Sequence, residues 1–144
     1  MSRPKFRCAA DRLKGTHMKL VIAEKPSVGN SIARMIGADR QRGDGFTSGN
    51  GYIVSWCFGH LVALSSPEEY DKRYAKPWKL SNLPIIPEEF RWTVAESTAP
   101  QFEKLKALME RPDVDEIICA TDAGREGECV FRYVYYQAGC TKPF

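Results

Sequence analysis

Residues 18–27 read MKLVIAEKPS, an apolar run that gives way abruptly to charge and proline. After it, apolar side chains recur at helical spacing up to Gly37, namely Val28, Ile32, Met35 and Ile36. The pattern predicts a buried strand, a tight loop and a helix, because Pro26 in a first helical turn loses no hydrogen bond. Glu24 is therefore expected at the carboxyl end of a strand.

The same order recurs near the end of the chain. The apolar run EIICA (116–120) is followed by TDAGREGE (121–128), and then by apolar residues at helical spacing, Val130, Phe131, Val134 and Tyr135. Between the two units, Thr98-Ala99-Pro100 supplies a cap and a first-turn proline for a helix that closes near Arg111. Two strand–loop–helix units predict an α/β fold with a mostly parallel sheet flanked by helices.

The middle of the chain departs from this parallel pattern. Asn50-Gly51 predicts a type I′ hairpin, since both residues tolerate positive φ, and β-formers follow in residues 52–58. Residues 65–87, rich in proline and charge, predict an irregular surface insertion, after which residues 90–95 can return as a strand.

Length and composition exclude several classes of protein. The 144 residues suffice for one domain, and no apolar run approaches the roughly 20 residues of a membrane span, so we expect a cytoplasmic protein without membrane contact. Five cysteines without a Cys-x-x-Cys pair indicate free thiols. Residues 1–17 carry a net charge of +4 and the remainder −1, so nucleic acid would have to be bound by a local site, a metal or another domain.

Residues 1–17 lack hydrophobic periodicity. We interpret them as a leader that is disordered, added by cloning or translated from a mis-assigned start upstream of Met18; a short phosphate-binding basic arm is the other interpretation.

Carboxylates follow both predicted strands. Ligands of open α/β sheets bind beyond the carboxyl ends of strands, so if the two strands are neighbours, Glu24 meets Asp122 and Glu126, with Glu128 as a further candidate. Two carboxylates about 4 Å apart repel by roughly 4 kcal/mol at an effective dielectric of 20. An oxygen-only cluster suits Mg²⁺ or Mn²⁺.

Two cations and two glycines stand beside these acids. Lys25 and Arg125 could hold phosphate oxygens, while Gly124 and Gly127 allow backbone amides to approach a ligand. The residues thus indicate a metal-assisted phosphate site. On spacing alone, an equally good interpretation is that Asp122 and Glu126 merely cap and charge the first turn of the last helix.

Three ordered motifs carry a resemblance: MKLVIAEKPS (18–27), GHLV (59–62) and ATDAGREGE (120–128). Together they resemble the Toprim domain of type IA DNA topoisomerases, closest to the bacterial topoisomerase III branch. The resemblance covers Met18 to Phe144 and implies a Rossmann-like Toprim fold over 18–144, which we expect to be interrupted near its C-terminal end. It also implies Mg²⁺ dependence and ATP-independent cleavage, passage and religation of single DNA strands through a phosphotyrosine link.

The resemblance assigns roles by position. Glu24 corresponds to a metal-binding glutamate placed for proton transfer near the scissile phosphate, and Lys25 to the adjacent phosphate-contacting lysine. Asp122 and Glu126 correspond to the outer acids of an Asp-x-Asp-x-Glu metal motif, and Arg125 to the arginine within it. The middle aspartate is Gly124 here, so we expect a more water-rich metal site that leans on Glu24 and Asp122.

The implied partners are single-stranded or negatively supercoiled DNA and further topoisomerase domains, one of which carries the nucleophilic tyrosine. Tyr133, Tyr135 and Tyr136 are accordingly expected to be core and surface positions of the last helix.

Other aromatic and histidine side chains leave alternatives open. Trp56, Trp78 and Trp92 favour packing over base stacking. His60 is equally a DNA-contacting or supporting group and a structural residue.

Two other functions remain open: a stand-alone Mg²⁺-dependent phosphodiesterase or nuclease using the same acids with water, and a non-catalytic truncated product.

Overall fold

The computed structural model describes residues 17–144. Its strands are β1 (Met18–Ala23), β2 (Gln41–Gly43), β3 (Phe46–Gly49), β4 (Tyr52–Trp56), β5 (Val62–Leu64), β6 (Trp92–Val94) and β7 (Val114–Ala120). Its α-helices are α1 (Pro26–Ile36), α2 (Pro67–Tyr70), α3 (Ala99–Glu110) and α4 (Arg125–Gln137). The leader prediction for residues 1–17 falls almost entirely outside the described residues.

The main sheet has the order β2-β3-β4-β1-β7, and β4, β1 and β7 run parallel to one another. β1 lies between the other two parallel strands, and Leu20, Val21 and Ile22 within it are at most 3% exposed. This confirms the predicted α/β fold with a mostly parallel sheet. Ala23 lies level with Ala120, so β1 and β7 are neighbours that end side by side.

Helices cover both faces of the sheet. Because successive strand residues point to opposite faces, Leu20 and Ile22 join the larger core with Phe131, while Val21 joins a smaller core with Ala33. Met35, despite its place in the apolar spacing of α1, is 87% exposed. Gly29 takes a buried position instead, where an added Cβ would lie 2.8 Å from the indole of Trp56.

The predicted hairpin is confirmed. Asn50 and Gly51 have φ values of 51° and 81°, and they join the antiparallel strands β3 and β4. A second hairpin, between β2 and β3, turns at Asp44-Gly45 and was not predicted. Asp-Gly is a known hairpin signal, but all three residues of β2 are exposed and give no alternation of polarity.

The insertion lies between two short strands. Residues 65–87 contain only α2 and the 3₁₀ turns Lys72–Tyr74 and Leu80–Asn82, as the composition predicted. β6 forms within the predicted range 90–95 and pairs antiparallel with β5. Trp92 packs on Tyr133, with 4.0 Å between ring centroids, and this contact ties the small sheet to α4.

One predicted cap is wrong. α3 does begin after Thr98 with a proline in its first turn, but the Thr98 hydroxyl does not cap it. The hydroxyl instead donates to the carbonyl of Ala95 at 3.1 Å, because Thr98 lies inside a preceding turn.

Cys57, Cys119, Cys129 and Cys140 are free, as predicted, and Cys8 lies outside the described residues. In the described part of the chain, no helix combines the length and apolar character needed to cross a bilayer.

Candidate functional site

The neighbouring ends of β1 and β7 bring the predicted acids to one cavity. Its volume is about 480 Å³, and it is lined by Glu24, Lys25 and residues 122–127. The backbone N–H of Asp122 donates to Oε2 of Glu24 at 3.4 Å, across 98 residues of sequence. The condition on which this juxtaposition depended, that the two strands are neighbours, is met in the sheet.

Among the acids that form ion pairs within residues 17–144, Glu24 is the least exposed, with 16% of its side chain accessible. The ammonium of Lys25 lies 3.5 Å from Oε1 of Glu24, and its own side chain is 59% exposed, so it can also reach a ligand. Behind them, burial raises the pKa of Cys57 to about 12, and the charge of Glu24 adds to the shift. Cys57 is therefore a neutral thiol and not a nucleophile.

The turn before α4 is held by backbone contacts. The N–H of Gly124 donates to the carbonyl of Asp122 at 2.8 Å, and the Thr121 hydroxyl donates to the carbonyl of Gly127 at 2.9 Å. A Cβ on Gly127 would lie 2.2 Å from the carbonyl oxygen of Asp122, well inside contact distance. Glycine at 127 thus permits the helix to begin directly against Asp122.

The capping interpretation holds only in part. Gly124 is the N-cap residue, and within residues 17–144 no side-chain hydrogen bond from Asp122 or another residue caps the first turn of α4. Glu126 does lie in that first turn, where its charge favours the helix dipole. The helix dipole therefore accounts for the position of Glu126, whereas capping does not account for that of Asp122.

His60 enters the site from a third strand end. After β4, the N–H of Cys57 donates to the carbonyl of Ala23 at 2.8 Å, and that of Gly59 donates to the carbonyl of Glu24 at 3.3 Å. Gly59 has a φ of 75°, which favours glycine, and the following His60 places Nε2 3.2 Å from Oε1 of Glu126. His60 thus contacts the carboxylate cluster.

Glu128 does not join the cluster. It lies outside the cavity and pairs with Arg132, one helical turn along α4, at 2.6 Å. The sequence did not show this, because it does not fix the residue at which α4 begins. Glu128 is the fourth residue of α4, and its carboxylate faces away from the strand ends. Arg125, by contrast, lines the cavity and forms no ion pair with any residue in the range 17–144.

The donor set decides which metal these residues suit. Within residues 17–144, no three histidine, cysteine or acidic side chains converge closely enough to enclose an ion. The acids of the cavity therefore do not suit structural zinc, which takes four protein ligands. They suit Mg²⁺, which keeps several waters and needs only one or two carboxylates beside phosphate oxygens. Glu24 and Asp122 fit that description.

Gly124 leaves room for the motif's missing acid. Its φ of −162° is ordinary extended backbone, and a Cβ there would meet no atom within 4 Å. The glycine is therefore not required by the fold, unlike Gly127.

The tyrosines of α4 lie at core and surface positions as predicted, whereas one of the three tryptophans predicted to pack, Trp78, is exposed. Tyr135 is buried, and burial is the main cause that raises its pKa, while a hydrogen bond with Cys129 is the main cause that raises the pKa of Tyr133. Tyr136 is exposed on the outer face of α4. Trp56 and Trp92 pack against the body of the domain, whereas Trp78 is 54% exposed in the insertion.

Comparison with known proteins agrees with this architecture. DNA topoisomerase 3 of Shouchella clausii (strain KSM-K16) is 49% identical over 125 residues, which is 87% of this chain and 17% of that protein. DNA topoisomerase 3 of Bacillus anthracis is 49% identical over 124 residues, and that of Bacillus licheniformis (strain ATCC 14580) 48%. The chain spans about 17% of the length of these curated relatives. The family model of the Toprim domain matches residues 19–141, and the chain belongs to the Toprim domain family.

Proposed function

We propose that this chain is the metal-binding Toprim domain, spanning residues 18–144, of an ATP-independent type IA DNA topoisomerase, an isomerase that cleaves, passes and religates single DNA strands. The observation that carries the proposal is the meeting of Glu24 and Asp122 at the ends of β1 and β7, with Lys25 and Arg125 lining the same cavity. The relatives named DNA topoisomerase 3 support the choice of reaction. The substrate would be single-stranded or negatively supercoiled DNA, and the location that we propose is the cytoplasm.

Each residue of the site has a distinct task in this proposal. Glu24 and Asp122 would hold Mg²⁺, or Mn²⁺ in its place, and Glu126, which contacts His60, would reach the ion through water. The ion supplies positive charge to the phosphate oxygens. Lys25 and Arg125 bind further phosphate oxygens, and Glu24, the more enclosed carboxylate, transfers a proton near the scissile bond.

The nucleophile belongs to another part of a longer enzyme. Tyr135 is buried in the core, and the raised pKa values of Tyr133 and Tyr135 disfavour the phenolate that attack on phosphorus needs. We therefore expect the 144 residues alone to bind metal and phosphate without relaxing supercoiled DNA.

The test combines a metal titration with a plasmid assay. Calorimetry with Mg²⁺ should show binding by the unmodified chain, and at least a tenfold loss in Glu24→Gln and Asp122→Asn. Glu128→Gln is the matched control, because its carboxylate lies on α4 outside the cavity, and it should bind as the unmodified chain does.

The plasmid assay separates the alternatives. Supercoiled DNA should stay intact with the chain and Mg²⁺. Nicking that disappears in Glu24→Gln would instead identify a phosphodiesterase that uses water. Absence of metal binding, with Asp122→Ala changing only stability by about 1 kcal/mol or less, would identify a non-catalytic product.

A further inference from the structure

The insertion carries the densest positive charge in the described chain. Residues 72–79 read KRYAKPWK, with four cations, two aromatic rings and no acid, and we call them the cationic strip. The strip is notable because residues 18–144 as a whole carry a net charge of −1. The only cation of the strip that is neutralised by an ion pair among residues 17–144 is Arg73, which lies 3.0 Å from Asp71.

Rings and cations alternate along the strip and lie close together. The guanidinium of Arg73 lies 4.8 Å from the ring centroid of Tyr74, and the ammonium of Lys76 lies 5.6 Å from that of Trp78. Trp78 is 54% exposed although it is one of the largest apolar side chains in the chain. An exposed ring flanked by unpaired lysines suits a ligand that offers flat aromatic groups and negative charge at short intervals.

We propose that the cationic strip binds single-stranded nucleic acid, with bases stacked on Trp78 and phosphates held by Lys72, Lys76 and Lys79. The unpaired bases of a single strand present aromatic faces, while a duplex buries them in its stack. This surface adds to the proposed function a strand-holding site outside the carboxylate cavity, since no residue of the strip lines that cavity.

The features next to the strip suit a nucleic acid less well than the strip does. The largest cavity of the insertion, about 770 Å³, is lined by Arg73 and Arg91 but also by Asp71, Glu88 and Glu89, so its charge is mixed and does not favour an anion. The exposed apolar side chains Leu80, Leu83 and Ile86 follow the strip and would suit a protein partner. Within the strip, however, the only aliphatic side chain besides the proline is Ala75.

The test measures binding of a fluorescently labelled oligothymidine by anisotropy, with EDTA present so that no metal ion contributes to binding. Changing Lys72, Lys76 and Lys79 to Ala together should weaken binding and make the slope of log K against log salt shallower by about 2. Trp78→Ala should weaken binding at least about fivefold and leave the slope unchanged, because stacking releases no counterions.

The matched control changes Arg34, Arg40 and Arg42 to Ala together, which removes the same charge from exposed positions outside the strip. This control should bind within about twofold of the unmodified chain. The proposal is overturned if the unmodified chain does not bind the oligonucleotide, if the strip variants bind as well as the control, or if a matched duplex binds as tightly as the single strand. A strip that contacts protein instead would give the second of these results, and the magnesium titration of Glu24→Gln tests the metal site separately.

Discussion

Gly127→Ala offers the sharpest test of how the site is built. Helix propensity alone would make alanine more stable than glycine in α4 by up to about 1 kcal/mol. The structure predicts the opposite sign, because the added Cβ would lie 2.2 Å from the carbonyl oxygen of Asp122 and 2.8 Å from its nitrogen. These are backbone atoms, which cannot rotate away as the end of a side chain can.

Relief of this clash requires movement of the turn itself. That movement would stretch two hydrogen bonds: the 2.8 Å bond from the N–H of Gly124 to the carbonyl of Asp122, and the 2.9 Å bond from the Thr121 hydroxyl to the carbonyl of Gly127. Overpacking of this kind costs about 1–3 kcal/mol. At about 2–4 °C per kcal/mol for a chain near this length, the melting temperature should fall by about 2–12 °C.

Thermal and urea unfolding, together with a magnesium titration, provide the assay. Gly124→Ala is the matched control, since a Cβ there meets nothing within 4 Å and the backbone is extended. It should change stability by less than about 1 kcal/mol. In Gly127→Ala, both stability and metal affinity should fall, because Asp122 is displaced. The reasoning is refuted if Gly127→Ala is as stable as Gly124→Ala and binds magnesium equally well.

Two further predictions follow from single positions. Gly124→Asp should raise magnesium affinity in calorimetry, because a third carboxylate fits without a clash at the cavity rim; equal affinity in both proteins would contradict this. The pKa of Cys57, raised to about 12 from an ordinary 9.0, implies that its contribution to stability is complete below pH 9 and is lost as pH rises toward 12. Between pH 8 and pH 10.5, the free energy of unfolding measured in urea should therefore fall less in Cys57→Ala than in the unmodified chain. An equal fall in both proteins would argue against a buried neutral thiol.

The strand–loop–helix units were predictable because their local signals agree with the tertiary structure. The apolar run of β1 is buried on both faces, and Pro26 lies in the first turn of α1, as its missing N–H requires. The strand β2 escaped prediction because its exposed residues are held only by pairing with β3. Local pattern carries no information about such a partner.

The site was predictable to the extent that it follows from strand order. Glu24 and Asp122 needed only the expectation that β1 and β7 are neighbours. The contact between His60 and Glu126 could not be foreseen in its geometry, because it depends on where the loop after β4 turns at Gly59, 67 residues before Glu126. The turn of Glu128 toward Arg132 depends likewise on the exact start of α4.

The place of β1 in the sheet also fixes when the site can exist. The ribosome makes β7 about 100 residues after its partner β1, which at 5–20 residues per second is a delay of roughly 5–20 s. Until then Glu24 stands beside an open strand edge without Asp122, and pairings over so long a separation form late in folding. A partly synthesised chain therefore holds the glutamate without its metal-binding partner, and the acidic centre arises only when the last parallel strand is added.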